Sequence, residues 1–114
     1  MARLLIVDDE LVLADLLKRY LERLGHEVET AESAEKALAG FEKDPRRYEL
    51  VLADLTLPGM NGEQMLEQML SRNPSLKAVI SSGYPHSPQR KDIAFLQKPY
   101  VPKMLADLIA QSVD

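Results

Sequence analysis

The sequence predicts one doubly wound α/β domain, a parallel sheet with helices on both faces, and three observations predict it. Short, continuously apolar segments alternate five times with segments whose apolar residues recur at helical spacing. The connections are short, and parallel strands need crossovers that pack back onto the sheet. The strand segments run into residues that carry chemistry: Asp8-Asp9, Asp54, Ser82 and Lys98. No internal repeat, linker or low-complexity stretch interrupts the pattern, so residues 1–114 form one domain.

Leu4-Leu5-Ile6-Val7 is apolar throughout, as a strand buried on both faces requires. Leu13, Leu16, Leu17, Tyr20, Leu21 and Leu24 follow at helical spacing, and Gly25 supplies a left-handed cap. Glu27 to Thr30 is a second, weakly alternating strand. Ser33 caps a second helix with Ala34, Ala37, Leu38 and Phe41 on its face. After the loop Asp44-Pro45-Arg46-Arg47, the strand Leu50-Val51-Leu52-Ala53 leads into Asp54. Pro58-Gly59 and Asn61-Gly62 punctuate the next loop. Met65, Leu66, Met69 and Leu70 mark a helix that Asn73-Pro74 closes. Ala78-Val79-Ile80 forms the fourth strand, ending at Ser81-Ser82-Gly83. Pro85 and Pro88 keep any helix between Tyr84 and Lys91 short. Ile93 to Leu96 is the fifth strand, and Met104, Leu105, Leu108 and Ile109 mark the final helix.

Composition narrows the function. Of 114 residues, 46% are hydrophobic and 28% charged, enough apolar surface for an ordered core. The formal charge of -4, from 14 basic and 18 acidic residues, argues against a nucleic-acid surface. The pairs Lys18-Arg19, Arg46-Arg47 and Arg90-Lys91 are scattered and read as solvated surface. The absence of cysteine excludes disulfides and thiolate chemistry. No run is long and apolar enough for a membrane span, and none reads as a secretory signal, so a cytoplasmic location is expected.

In doubly wound sheets the functional crevice lies outside the carboxyl ends of the strands. There the sequence collects Asp8 and Asp9, Asp54, the Ser82 hydroxyl and the Lys98 ammonium. Each alone would be a turn residue, a cap or an exposed side chain, and Asp8 or Asp9 is also suited to capping the first helix. Their convergence from four strands carries the functional argument. Close carboxylates repel unless a cation separates them, and Lys98 is the one the protein supplies. An oxygen-seeking divalent ion, Mg²⁺, completes such a site while leaving room for phosphate oxygens. Asp54 is then a nucleophile able to form an acyl phosphate, with Lys98 and Ser82 contacting phosphoryl oxygens. His26 and His86 show no ligand spacing and read as surface or loop. Met60, Met65 and Met69 read as core filler.

Val7-Asp8-Asp9, the segment from Asp54 through Pro58 and Met60 to Gly62, Ser81-Ser82-Gly83 and Lys98-Pro99 together resemble the response-regulator receiver domains of two-component signalling. The resemblance implies a flavodoxin-like sheet of order 2-1-3-4-5. It implies Asp54 as phospho-acceptor, and Asp9, Asp54 and the Thr56 carbonyl as direct Mg²⁺ ligands. Asp8 would hold a metal-bound water or tune the pair, and Lys98 would contact the phosphoryl group. Ser82 would move toward that group on activation while Phe95 turns inward. The donor implied is a phosphohistidine on a sensor histidine kinase or a phosphotransfer protein. Such a domain catalyses only its own phosphorylation and dephosphorylation, without nucleic acid or membrane as partner.

One departure stands out. Only 15 residues lie between Ser82 and Lys98, so the fourth helix of a receiver is shortened or missing. Output through that face is altered and its partner undefined, and homodimerisation through the last helix or the shortened region stays open. The Ser-Ser-Gly-Tyr and Phe-Leu-Gln-Lys-Pro-Tyr segments are similar to receivers of hybrid sensor kinases. Two other readings compete: an interaction module that no longer uses phosphate, and a haloacid-dehalogenase-like phosphohydrolase. Against the first, every residue the chemistry needs is present. Against the second, Glu10 stands two residues after Asp8 and no cap insertion exists.

Overall fold

The computed structural model describes residues 2–112. Five strands form one parallel sheet: β1 (Arg3–Val7), β2 (Glu27–Ala31), β3 (Leu50–Asp54), β4 (Lys77–Ser82) and β5 (Ile93–Gln97), in the order β2-β1-β3-β4-β5. Four helices cover it: α1 (Leu11–Arg23), α2 (Ala34–Lys43), α3 (Gly62–Arg72) and α4 (Pro102–Ser112).

The period of two along each strand divides the apolar residues between two cores. Leu5, Val7, Val51, Ala53, Ala78 and Ile80 face α2 and α3, with Phe41, Met65, Leu66 and Met69 filling the gap. Leu4, Ile6, Leu50, Leu52 and Val79 face α1 and α4, against Leu17, Leu21, Leu105 and Ile109. Because both faces are covered, the central strand β3 is buried along its full length. Each fully buried leucine, isoleucine or phenylalanine side chain contributes roughly 1.5–3 kcal/mol.

Helix boundaries follow local chemistry. The Ser33 hydroxyl accepts the Lys36 N–H at 3.2 Å, as the sequence suggests. Asn61 and Gln64 form a reciprocal capping box at the start of α3. At α1 the cap position is Glu10, without a side-chain bond, so neither Asp8 nor Asp9 caps that helix. The buried stripe of α1 is Ala14, Leu17 and Leu21; Leu16 and Leu24 point to solvent, as does half of Met104 in α4. Leu16 thus falls just outside the stripe that packs on the sheet.

Between β4 and β5, residues 83–92 form turns and extended chain with no helix, in agreement with Pro85 and Pro88. Among the described residues no helix is long and apolar enough to cross a membrane.

Candidate functional site

The register aligns the carboxyl ends of the strands. Val7 pairs with Ala53, Asp54 with Ser81, and Ser82 with Gln97. Two strand-end carbonyls lock this edge: Ser81 accepts from Leu55 N–H and Ser82 from Lys98 N–H, both at 2.8 Å. Asp8 therefore emerges from β1 beside Asp54 at the end of β3, and Lys98 arrives from β5. The chain winds outward on either side of the β1/β3 gap, the place where such sheets open a crevice.

Asp8 and Asp54 are almost wholly buried, with 4% and 5% of their surface exposed. Lys98 Nζ lies 3.5 Å from one carboxylate oxygen of each, and 3.9 Å from Glu10 Oε1. The remaining oxygens are held by short backbone turns. Asp8 Oδ1 accepts the Glu10 N–H at 2.8 Å, and Asp54 Oδ1 accepts the Thr56 N–H and hydroxyl at 3.3 and 3.4 Å. These bonds fix both carboxylates before any ligand arrives, leaving one oxygen of each toward the ammonium.

The start of α3 packs closely against the end of β3. A Cβ on Gly62 would stand 2.2 Å from the Asp54 carbonyl oxygen, so only glycine permits this packing. The Asn61-Gly62 pair reads in sequence as loop punctuation; the steric demand at Asp54 is visible only in three dimensions.

Electrostatics follow from burying two acids beside one base, with the exposed Glu10 at the rim. Burial raises the Asp8 pKa above its ordinary value, and the Asp54 and Glu10 charges add to this; the Glu10 N–H and Lys98 oppose it. For Lys98, burial works against its charge, but Asp8, Asp54 and Glu10 outweigh it and raise its pKa. Lys98 is thus a fixed cation. Nearby Tyr100 is pushed up to about 12 by burial and by the Asp8 and Asp54 charges, and stays a neutral phenol.

Oxygens of Asp8, Glu10 and Asp54 all lie within 4.8 Å of one another. A compact set of carboxylate donors, with no nitrogen or sulfur, fits a hard divalent ion such as Mg²⁺. Sequence reasoning did not include Glu10, whose long side chain reaches the group from an exposed position. Asp9 is exposed and stands outside the group, and Thr56 is exposed beside Asp54.

Ser82 and Phe95 sit on the adjacent strands. The Ser82 side chain is buried and its hydroxyl accepts the Tyr84 N–H at 3.0 Å. Phe95 is half-buried against the α2/α3 core, its ring 6.4 Å from that of His86. His86, which the sequence gives as plain loop, is bonded to Glu63 of α3 at 2.8 Å. His26 has a structural role, accepting the Ala2 N–H. Met65 and Met69 are fully buried and Met60 partly so, as core filler should be.

The fold has counterparts among known proteins. The family model for the response regulator receiver domain matches residues 4–110. Response regulator protein FleR of Pseudomonas aeruginosa is 32% identical over 96% of the chain, which covers 24% of FleR. The chain spans about a quarter or less of the length of the curated relatives heading the comparison. The receiver domain of the hybrid histidine kinase CckA superposes with a TM-score of 0.88 at 28% identity, covering 98% of this chain and 99% of that one. The response regulator TrrA of Thermotoga maritima, solved in complex with Mg²⁺–BeF, gives a TM-score of 0.86 at 27% identity, covering 99% and 100%.

The raised Asp8 pKa makes a stability prediction. The folded protein holds the Asp8 proton more tightly than the unfolded chain, so this contribution is present below the ordinary aspartate pKa and lost as pH rises through the raised value. Ionised Asp8 thus opposes folding near neutral pH. In the absence of divalent ions Asp8→Asn, which keeps the acceptor for the Glu10 N–H, melts above wild type near neutral pH. The difference shrinks toward about pH 4. Thermal melts across that range check it, and a variant that melts below wild type at neutral pH contradicts the account.

Proposed function

The chain belongs to the response regulator receiver domain family, and from that premise we propose that Asp54 accepts a phosphoryl group from a phosphohistidine. The observation that carries this reading is the Lys98 ammonium, 3.5 Å from both Asp8 and Asp54 at the carboxyl edge of the sheet. An Asp54 carboxylate oxygen attacks phosphorus and an acyl O–P bond forms. The N–P bond of the donor breaks, its electron pair stays on the imidazole nitrogen, and that nitrogen takes a proton from solvent. Attack by water later returns the carboxylate and inorganic phosphate. The transfer asks the protein for positioning and charge stabilisation, which an oriented carboxylate and a partly buried ammonium provide.

The residue roles follow. Lys98 draws the incoming phosphoryl oxygens toward the Asp54–Asp8 pair and offsets their charge. Ser82 turns its hydroxyl from Tyr84 toward the new dianion, and Phe95 shifts inward behind it. Asp9, Asp54 and the Thr56 carbonyl would hold Mg²⁺, Asp8 would orient a water on it, and Glu10, which lies in the acidic cluster, would compete with Asp9 as the third carboxylate. When bound, Mg²⁺ supplies Lewis-acid neutralisation of the charge that gathers during transfer. The donor is a sensor histidine kinase or a phosphotransfer protein, in the cytoplasm where ATP-dependent kinases act. Residues 1–114 act as one receiver domain that turns over no outside substrate. Output passes through conformation, because a dianion at Asp54 favours whichever state contacts it better.

Two measurements test this reading. Intact-mass spectrometry after incubation with a small acyl-phosphate donor yields one phosphoryl adduct that depends on Mg²⁺ and is absent in Asp54→Asn. No adduct under any condition would leave a phosphate-independent interaction module. Mg²⁺ titration separates the acidic neighbours: Asp9→Ala weakens binding by about tenfold or more, and Glu10→Ala by clearly less. The reverse order would make Glu10 the third ligand.

A further inference from the structure

The helix-free crossover from β4 to β5 is fastened along its length. At its start the Tyr84 N–H is held by the Ser82 hydroxyl at 3.0 Å. Two and five residues later it is gripped by both oxygens of Glu63, in the first turn of α3. Glu63 Oε1 meets His86 Nε2, and Oε2 accepts the Gln89 N–H, each at 2.8 Å. The Glu63 side chain is 12% exposed and that of His86 28%, so their contact is partly shielded from water, while the bond to Gln89 lies at the surface. Beyond it Arg90 pairs with Asp92, and Glu67, one turn further along α3, acts on Arg90 through its charge. The His86 ring also lies tilted against Phe95.

We infer that Glu63 and His86 are positioning residues for the phosphoryl switch: they hold the crossover where the Tyr84 N–H occupies the Ser82 hydroxyl, and so oppose its turn toward Asp54. This rests on the reading of Asp54 as acceptor and Ser82 as its mobile partner. A hydroxyl swinging toward Asp54 either abandons the Tyr84 N–H or carries the backbone with it. His86 is two residues from Tyr84, and Glu63 pins it, so the backbone cannot follow freely. The same clamp bears on Phe95 through the His86 ring. The crossover thus takes over, by side-chain bonds to α3, the restraint that a helix would otherwise supply by packing. A ligand that favours the switched state must work against the clamp, so weakening the clamp strengthens that ligand's binding.

Beryllium fluoride with Mg²⁺ serves as the phosphoryl mimic, titrated against the full chain. Glu63→Ala and His86→Ala each bind it roughly three- to tenfold more tightly than wild type, the range that the loss of one or two hydrogen bonds implies. Glu63→Gln keeps a carbonyl acceptor for the Gln89 N–H and stays closer to wild type. In a Ser82→Ala background the tightening disappears, which a purely structural role for the clamp would not produce. Unchanged or weaker binding in the single variants overturns the inference, as does equal tightening without Ser82. If Glu63→Ala fails to fold, His86→Ala decides alone. Wild type that binds no beryllium fluoride overturns the Asp54 reading together with this one; normal wild-type binding with unshifted variants overturns only the clamp.

Discussion

Two buried carboxylates facing one partly buried ammonium constrain the rest of this structure. Asp8 and Asp54 lose almost all their hydration, and removing a charge from water is costly unless a partner and hydrogen bonds replace it. Lys98 partners both at once, which works only if β1, β3 and β5 end at the same level. The parallel register supplies that level, and the bonds from Leu55 and Lys98 to the end of β4 keep it. Gly62 is required for the same reason, since any side chain there would displace Asp54. The arrangement remains short of positive charge, with three acids around one base. Such a site stores a preference for a cation and sacrifices some stability for it.

Much of this was legible in the sequence because it rests on local pattern. Continuous apolar runs such as Leu50 to Ala53 announce strands covered on both faces, and the acids that end them mark the functional edge. Pro85 and Pro88 announced the missing helix. What could not be read depends on contacts between distant segments. His86 and Glu63 are 23 residues apart and lie on different elements, so no spacing rule connects them. Glu10 escapes a reading by spacing because its long, exposed side chain reaches back to the cluster at the strand ends. The demand on Gly62 comes from the backbone of β3, not from its own turn. Leu16 and Leu24 fit the helical period of α1, yet the buried stripe runs through Ala14, Leu17 and Leu21, and α1 ends at Arg23.

Losing a helix from a doubly wound fold leaves a strand and a neighbouring helix face to be covered by something else. Here the α2/α3 core extends to Ile93 and Phe95 at the sheet edge, while α3 presents Glu63 and Glu67 toward the crossover. Polar fastening replaces apolar packing. The consequence reaches the site because the same segment begins at Ser82, so the covering of the sheet edge and the environment of the Ser82 hydroxyl are set by one loop. A receiver built this way links its chemistry to a segment held by a few directional bonds, and such bonds exist in discrete made or broken states.

On the proposed function, the phosphoryl group resides on Asp54 and on no other side chain. Borohydride reduction of the phosphorylated protein converts an aspartyl phosphate to homoserine, and peptide mass mapping then locates the change. The account predicts that mass signature in the peptide carrying Asp54 alone, dependent on Mg²⁺ during phosphorylation. A reduced residue at Asp8 or Asp9, or a phosphoryl group that resists reduction because it sits on serine or histidine, would contradict it.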